Sequence, residues 1–280
     1  MLVSVCMITY NHEKYISQAI EGVLMQKTKF PVELVIGEDC STDNTRKICL
    51  EYKEKYPDKI KLLLPENNLG IIQNFTTSLQ ACTGKYIALC EGDDYWTDPE
   101  KLQKQVDFLE ENEDFSICFH AVKIKNEQEN IIVDDYITRD VPDVTDIYEL
   151  IKGNYIHTPS VVFRNNEEII KAYIALDILL MGDYALHILN ARYGKIKKLP
   201  EAMAVYRAGV GVWRSKDAHY RTSFELNVLN KLIALFSDDK QLLQVLKQQY
   251  AHIAFVNSRA YRLRQMLLKL FFMLRKYCKL

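Results

Sequence analysis

The sequence predicts an α/β protein, with a mostly parallel sheet flanked by helices and a helical extension at the C-terminal end. Three features predict it. Short apolar, β-branched runs alternate with longer amphipathic stretches, the first run has no polar face, and beyond Ser215 only helical periodicity is visible.

Residues 2 to 9 (LVSVCMIT) read as a strand buried on both faces. Ile16, Ala19, Ile20, Val23 and Leu24 recur on one helical face, and that helix stops before Pro31. Val32 to Gly37 is the next strand, and Ser41-Thr42-Asp43 is suited to cap a helix reaching about Tyr56. Ile60 to Leu64 reads as strand, Ile71 to Ala81 as helix and Tyr86 to Cys90 as strand. Asp98-Pro99 places a capping carboxylate and a first-turn proline ahead of a helix ending near Asn112. Strands are expected over 117 to 125 and 160 to 163, with a polar, acidic loop or small insertion at 126 to 146. A helix from Asp183 to Arg192 and strands at Lys195 to Leu199 and Ala202 to Arg207 complete the sheet-bearing part. The chain thus divides into a domain over 1–215 and a helical region over 216–280. On a parallel sheet of this kind, ligands bind beyond the carboxyl ends of the strands. Thr9-Tyr10-Asn11, Glu38-Asp39 and Glu91 to Asp94 are delivered there.

Composition narrows the function. With 280 residues, 48% of them hydrophobic, the chain is long enough to bury a sizeable core. A formal net charge of -1 gives no chain-wide attraction for a polyphosphate backbone, so nucleic acid is not an expected partner. The seven cysteines are scattered, with no C-x-x-C and no zinc-ligand spacing. Cys6, Cys90 and Cys118 lie in apolar runs as free thiols, which fits a reducing cytoplasm. The opening residues lack the basic region of a signal peptide, and no apolar run approaches the ~20 residues that span a bilayer.

The two familiar phosphate cradles are absent: no G-x-G-x-x-G follows the first strand, and there is no G-x-x-x-x-G-K-[ST]. A sheet of this type that binds a nucleotide diphosphate needs another positive element. Clustered carboxylates supply one only by holding a cation. Glu91-Gly92-Asp93-Asp94 offers the hard oxygen ligands that Mg2+ or Mn2+ prefers; a solvated acidic turn is the alternative.

The ordered series VSVCMITYN (3 to 11), EDCSTDNT (38 to 45), ENNLG (66 to 70), GKYIALCEGDDYW (84 to 96) and GDYAL (182 to 186) resembles the family 2 glycosyltransferases of the GT-A fold, a Rossmann-like fold. The resemblance covers roughly residues 1 to 215 and implies a nucleotide-sugar-dependent, inverting transferase. By that resemblance Thr9, Tyr10 and Asn11 line the nucleotide pocket, and Asp39 accepts a hydrogen bond from the base, uracil, so that a UDP-sugar is the implied donor. Asn68 and Gly70 match a loop near base and ribose. Asp93 is the implied metal ligand, bridging through Mn2+ or Mg2+ to both phosphates, while Glu91 and Asp94 orient ribose, sugar or metal-bound water. Asp183 matches the catalytic base that takes the proton of the acceptor hydroxyl; its position at a helix start would keep it ionised.

One departure from the family pattern stands in VYRAGVGVW (205 to 213), where Gly209 replaces an expected histidine and Arg207, Trp213 or Arg214 are candidates to compensate. His12, His157 and His187 read as structural histidines, with His157 and Ser160 as candidate contacts on the acceptor side. Residues 259 to 280 carry seven Lys and Arg side chains and no acid, with Leu263, Leu267, Leu270, Phe271 and Leu274 at helical spacing. Such a tail suits peripheral contact with the inner face of the plasma membrane, or packing on protein, including a homo-oligomer. The expected role is cell-envelope polysaccharide, lipopolysaccharide or glycan synthesis on a glycan or lipid-linked acceptor. The alternative is a non-catalytic nucleotide-sugar-binding or scaffold protein on the same fold.

Overall fold

The computed structural model describes residues 3–178, 181–210 and 218–258. The basic tail over 259–280 and the candidates Trp213 and Arg214 lie outside the described residues. The chain divides into two compact units, Met1–Ser215 and Lys216–Leu280.

In chain order the first unit runs β1 (Val3–Thr9), α1 (Ile16–Leu24), β2 (Val32–Glu38), α2 (Thr45–Lys55), β3 (Ile60–Leu63), α3 (Ile71–Gln80), β4 (Tyr86–Leu89), β5 (Tyr95–Trp96) and α4 (Lys101–Glu111). It continues with β6 (Phe115–Asn126), β7 (Ile131–Asp134), β8 (Val144–Thr145), α5 (Ile147–Ile151), β9 (Val162–Arg164), α6 (Glu167–Ala175), α7 (Gly182–Ala191) and β10 (Lys195–Ala208). The second unit contains α8 (Ala218–Leu235) and α9 (Lys240–Val256).

One sheet has the order β3-β2-β1-β4-β9-β6-β10-β5, with β7 on β6 and β8 on β10. The four strands β1 to β4 are parallel, as are β6 and β10, while β9 lies antiparallel between β4 and β6. The fully buried β1 sits centrally. Val3, Val5 and Met7 join Ile16, Ala19 and Ile20 of α1 in one apolar cluster, the valine, methionine and isoleucine side chains each contributing roughly 1.5–3 kcal/mol on burial. Because β2, β1 and β4 are neighbours and parallel, their carboxyl ends open side by side on one edge.

The predicted strands Lys195 to Leu199 and Ala202 to Arg207 form a single strand, β10, with register shifts between Leu199 and Ala202 and between Ala202 and Ala204. Pro200 has no N–H to give the ladder, so the irregularity is absorbed as a bulge and the strand continues. The polar stretch 126 to 146 is a short arm: β7 folds back on β6, and β8 reaches β10. The helix α6 was not anticipated, although Asn166 accepts the amide of Glu168 and two glutamates occupy the first turn.

Candidate active site

The strand ends supply the first wall. Thr9 pairs in register with Glu38, and the Asp39 amide donates to the Thr9 carbonyl at 3.0 Å. Asn11 turns the chain with φ of 55°, a left-handed conformation that asparagine tolerates; its Oδ1 accepts the Thr42 amide at 2.8 Å. The Asn11 and His12 amides donate to Ser41 Oγ and Thr45 Oγ1 at 3.0 and 2.8 Å. The loop after β1 is therefore tied to the loop after β2. Asp43 holds the start of α2, accepting the Thr45 amide at 2.9 Å, while Glu38 is paired with Arg46. Tyr10 is exposed, Thr9 buried.

Asp39 takes no part in capping α2. Its two carboxylate oxygens accept the amides of Leu69 and Gly70 at 2.7 and 2.9 Å, and its carbonyl accepts Asn68 Nδ2 at 2.8 Å. Asp39, Asn68 and Gly70, three residues expected at the nucleotide, are thus one hydrogen-bonded group. Gly70 has φ of 81°, which favours glycine as the loop enters α3.

The acidic loop forms the next wall. The amides of Cys90 and Gly92 donate to the carbonyls of Cys6 and Ile8 at 3.2 and 2.9 Å, which draws the loop along the end of β1. At Gly92 a Cβ would lie 2.6 Å from Thr9 Oγ1 and 2.8 Å from Thr9 Cβ, so this close approach requires glycine. Glu91, Asp93 and Asp94 each present a carboxylate oxygen within 4.8 Å of the others. Asp94 Oδ1 accepts the Arg207 amide at 2.8 Å, whereas its buried Oδ2 has no partner. Burial, and next the Asp93 charge, push the Glu91 carboxyl up to about 8; the same causes raise Asp94 well above the carboxylate range. Converging hard oxygens, an orphaned buried oxygen and repulsion awaiting a counter-charge fit a divalent cation held by Asp93 with Glu91 or Asp94.

Asp183 opens α7 close enough to Glu91 for its charge to raise that carboxyl further. Asn154 Nδ2 donates to Asp183 Oδ2 at 2.9 Å. The expectation that the helix start alone would keep Asp183 ionised needs correction. Burial outweighs the amide and Asn154 hydrogen bonds, and the carboxyl is raised. On the same loop as Asn154, His157 Nε2 meets Asp135 Oδ2 of the arm at 3.0 Å, and its ring packs on Tyr206 at 4.8 Å. Burial acts to raise Asp135, but hydrogen bonds from His157 and Thr138 dominate and hold it below the usual range. His187 is buried with both ring nitrogens unpartnered and is pushed down to about 3 by burial, so it stays neutral.

Arg207 departs from its expected part. It is 2% exposed, and its guanidinium is fully engaged: Nε donates to Glu127 Oε1 at 2.6 Å, Nη1 to the Asp93 carbonyl and Nη2 to Gln18 Oε1. The group lies over the Tyr15 and Tyr95 rings, 4.8 and 4.5 Å from their centroids. It is committed to the protein interior. Gly209 has φ of 92°, a backbone state that favours glycine. Sequence reasoning missed Asn154 and the buried Lys101, whose Nζ lies 4.1 Å from the Trp96 ring centre and which burial lowers to about 7. Neither belongs to a spacing pattern that would single it out.

The family profile described as glycosyl transferase family 2 matches residues 4–157. A protein of Mycobacterium tuberculosis without an assigned function is 39% identical over 79% of this chain, which spans 63% of that protein's length. A glycosyltransferase of Nostoc, itself described as uncharacterized, is 31% identical over 74% of this chain and 65% of its own length. Among solved structures, S. aureus TarS in complex with UDP-GlcNAc superposes with a TM-score of 0.66 at 21% identity, covering 93% of this chain and 74% of that one. A mannosyltransferase from Pyrobaculum calidifontis, in complex with GDP-Man and Mn2+, gives 0.56 at 16% identity over 98% of this chain and 82% of its own. These likenesses show the GT-A fold.

Proposed function

We infer that this chain, which belongs to glycosyl transferase family 2, transfers a sugar from a nucleotide diphosphate sugar to a hydroxyl acceptor with inversion. One observation carries the reading: three converging carboxylates, Glu91, Asp93 and Asp94, stand beside a fourth, Asp183, that is set apart from them by its own hydrogen bonds. Paired carboxylates alone would suit glycoside hydrolysis. The acidic triad next to a preassembled Asp39–Asn68–Gly70 loop suits a diphosphate donor better.

The chain's own residues divide the work. Asp39 keeps the loop bearing Asn68 and Gly70 in place, and its remaining lone pairs stay available to the base, for which uracil is the proposed choice. Thr9 Oγ1, buried without a partner beside Gly92, is positioned to bond a ligand group. Asp93, with Glu91 or Asp94, would hold Mn2+ or Mg2+, which when bound supplies positive charge against the leaving diphosphate. Asp183 accepts the acceptor's proton. A carboxyl raised by burial is the stronger base near neutral pH, and Asn154 fixes its orientation. Single displacement requires no covalent enzyme intermediate.

Titrating a panel of UDP- and GDP-sugars with and without Mn2+ tests the proposal through thermal stabilisation and nucleotide release. Stabilisation by a nucleotide sugar only with the cation is the expected result. Stabilisation without any release, across the panel and candidate acceptors, would favour a binding protein on the same fold. The named acceptor class, a glycan or lipid-linked hydroxyl, and a role in envelope glycan synthesis are part of the proposal. Among the described residues no helix is long and apolar enough to cross a membrane.

A further inference from the structure

We propose that Arg207 and Glu127 form a brace that positions the cation-binding carboxylates, a role resting on the reading of Glu91, Asp93 and Asp94 given above. Arg207 touches the acidic loop at one backbone carbonyl and one carboxylate oxygen. Its Nη1 donates to the Asp93 carbonyl, and its own amide donates to Asp94 Oδ1 at 2.8 Å. The Asp93 carboxylate receives no hydrogen bond from the described residues, and Asp94 Oδ2 has no partner. The loop is therefore held through the Asp93 carbonyl and Asp94 Oδ1, while among the described residues the Asp93 carboxylate and Asp94 Oδ2 are left for a ligand.

The remaining contacts of Arg207 explain why it keeps that position. Glu127, in the turn between β6 and β7, accepts Nε at 2.6 Å; Gln18 of α1 accepts Nη2; the guanidinium lies over the rings of Tyr15 and Tyr95. Three separate stretches of chain converge on one planar cation. A lysine would carry the charge but lacks the fork that reaches Glu127, Gln18 and Asp93 together. Without the brace, the Asp93 carbonyl would lose the donor that ties it to Glu127 and Gln18, and the loop would no longer be fixed with its three carboxylate oxygens within 4.8 Å of one another. Glu127 also meets Lys125 at 3.2 Å, so the arm is anchored at its base by two cations.

Mn2+ binding to the full chain, read by the electron paramagnetic resonance of free Mn2+, tests this without requiring turnover. Wild type is expected to bind, Asp93→Asn to lose binding, and Glu127→Gln and Arg207→Lys to bind about tenfold or more weakly, the usual effect of removing a group that orients a ligand. Asp134→Asn, on the same arm but paired outward with Lys123, should bind as wild type. Glu127 is a quarter exposed, so Glu127→Gln should melt within a few degrees of wild type without cation, and it decides the matter should Arg207→Lys fail to fold. Mn2+ affinity unchanged in Glu127→Gln would overturn the brace while leaving the cation site intact. No Mn2+ binding by wild type would instead remove the site and the brace together.

Discussion

Cation binding at the acidic loop should be coupled to proton release, and the structure sets its size. Glu91 is pushed up to about 8 from an ordinary 4.5, chiefly by burial and then by Asp93 and Asp183. In the cation-free protein the folded state therefore holds a proton that the unfolded chain has lost across that window. Stability contributed by the protonated carboxyl is present below about pH 4.5 and declines as pH rises toward 8. A bound cation needs the ionised form, so between pH 6 and 8 its apparent affinity should rise about 50-fold, on the order of 2 kcal/mol. For a domain of this size that corresponds to roughly 4–8 °C of additional thermal stabilisation at saturating protein-site ratios. The assay is a melting series with fixed Mg2+ or Mn2+ at pH 6, 7 and 8, set against Asp93→Asn. An equal or larger shift at pH 6 would refute the coupling, because it would mean that no carboxyl in the loop retains its proton.

Three further outcomes follow from particular contacts. Asp183→Asn should leave cation and donor binding within about twofold and slow transfer by roughly 10²- to 10⁴-fold, measured as nucleotide release with an acceptor; the opposite pattern would exchange its role with that of Asp93. Gly92→Ala places a Cβ within 2.8 Å of Thr9 Cβ, so it should lower stability by about 1–3 kcal/mol in denaturant titration and weaken Mn2+ binding as the loop lifts from β1. Asp39→Ala leaves the Leu69 and Gly70 amides without their acceptor and should weaken nucleotide-sugar binding at least tenfold in calorimetry, with Mn2+ binding unchanged.

How much of this was legible beforehand depends on the range over which each signal acts. The strands β1 to β4 and the helices between them are set by local periodicity, and their polar ends by sequence position, so the meeting of Thr9, Asp39 and the acidic loop could be read from pattern. Asp183 was legible only through an ordered series of motifs; as an isolated Gly-Asp at a helix start it reads as a cap. Its partner Asn154 lies 29 residues earlier in an irregular segment, and no spacing rule joins the two. Arg207 was found for the wrong reason. The sequence offered it as a cation near a missing histidine, whereas its burial arises from Glu127, Gln18, Tyr15 and Tyr95, four residues on three separated stretches of chain. Likewise, β5 has two residues, too few for any period, and exists because β10 supplies a partner edge.

The two interior cations near the acidic loop differ in what they can do for it. Arg207 is held by acceptors on three stretches of chain, while Lys101, with Gln105 Oε1 at 2.8 Å as its polar contact and the Trp96 ring beside it, is lowered to about 7 by burial. Near neutrality Lys101 therefore carries only part of a charge, and it cannot balance the carboxylates of the loop. Its lowered value means that the folded state holds fewer protons than the unfolded chain between about 7 and 10.5, so its penalty is largest below pH 7 and shrinks as pH rises. Replacing a buried, weakly compensated ammonium by an apolar group of similar length removes that penalty. Lys101→Met should accordingly gain on wild type at pH 6.5, and the gain should fall by about 2.5 kcal/mol at pH 9, as read from paired denaturant titrations. A variant equally less stable at both pH values would show that Lys101 holds α4 by packing and hydrogen bonding rather than by charge. With the expected result Lys101 drops out as a balancing charge, and what Arg207 leaves uncompensated at Glu91, Asp93 and Asp94 falls to a bound cation.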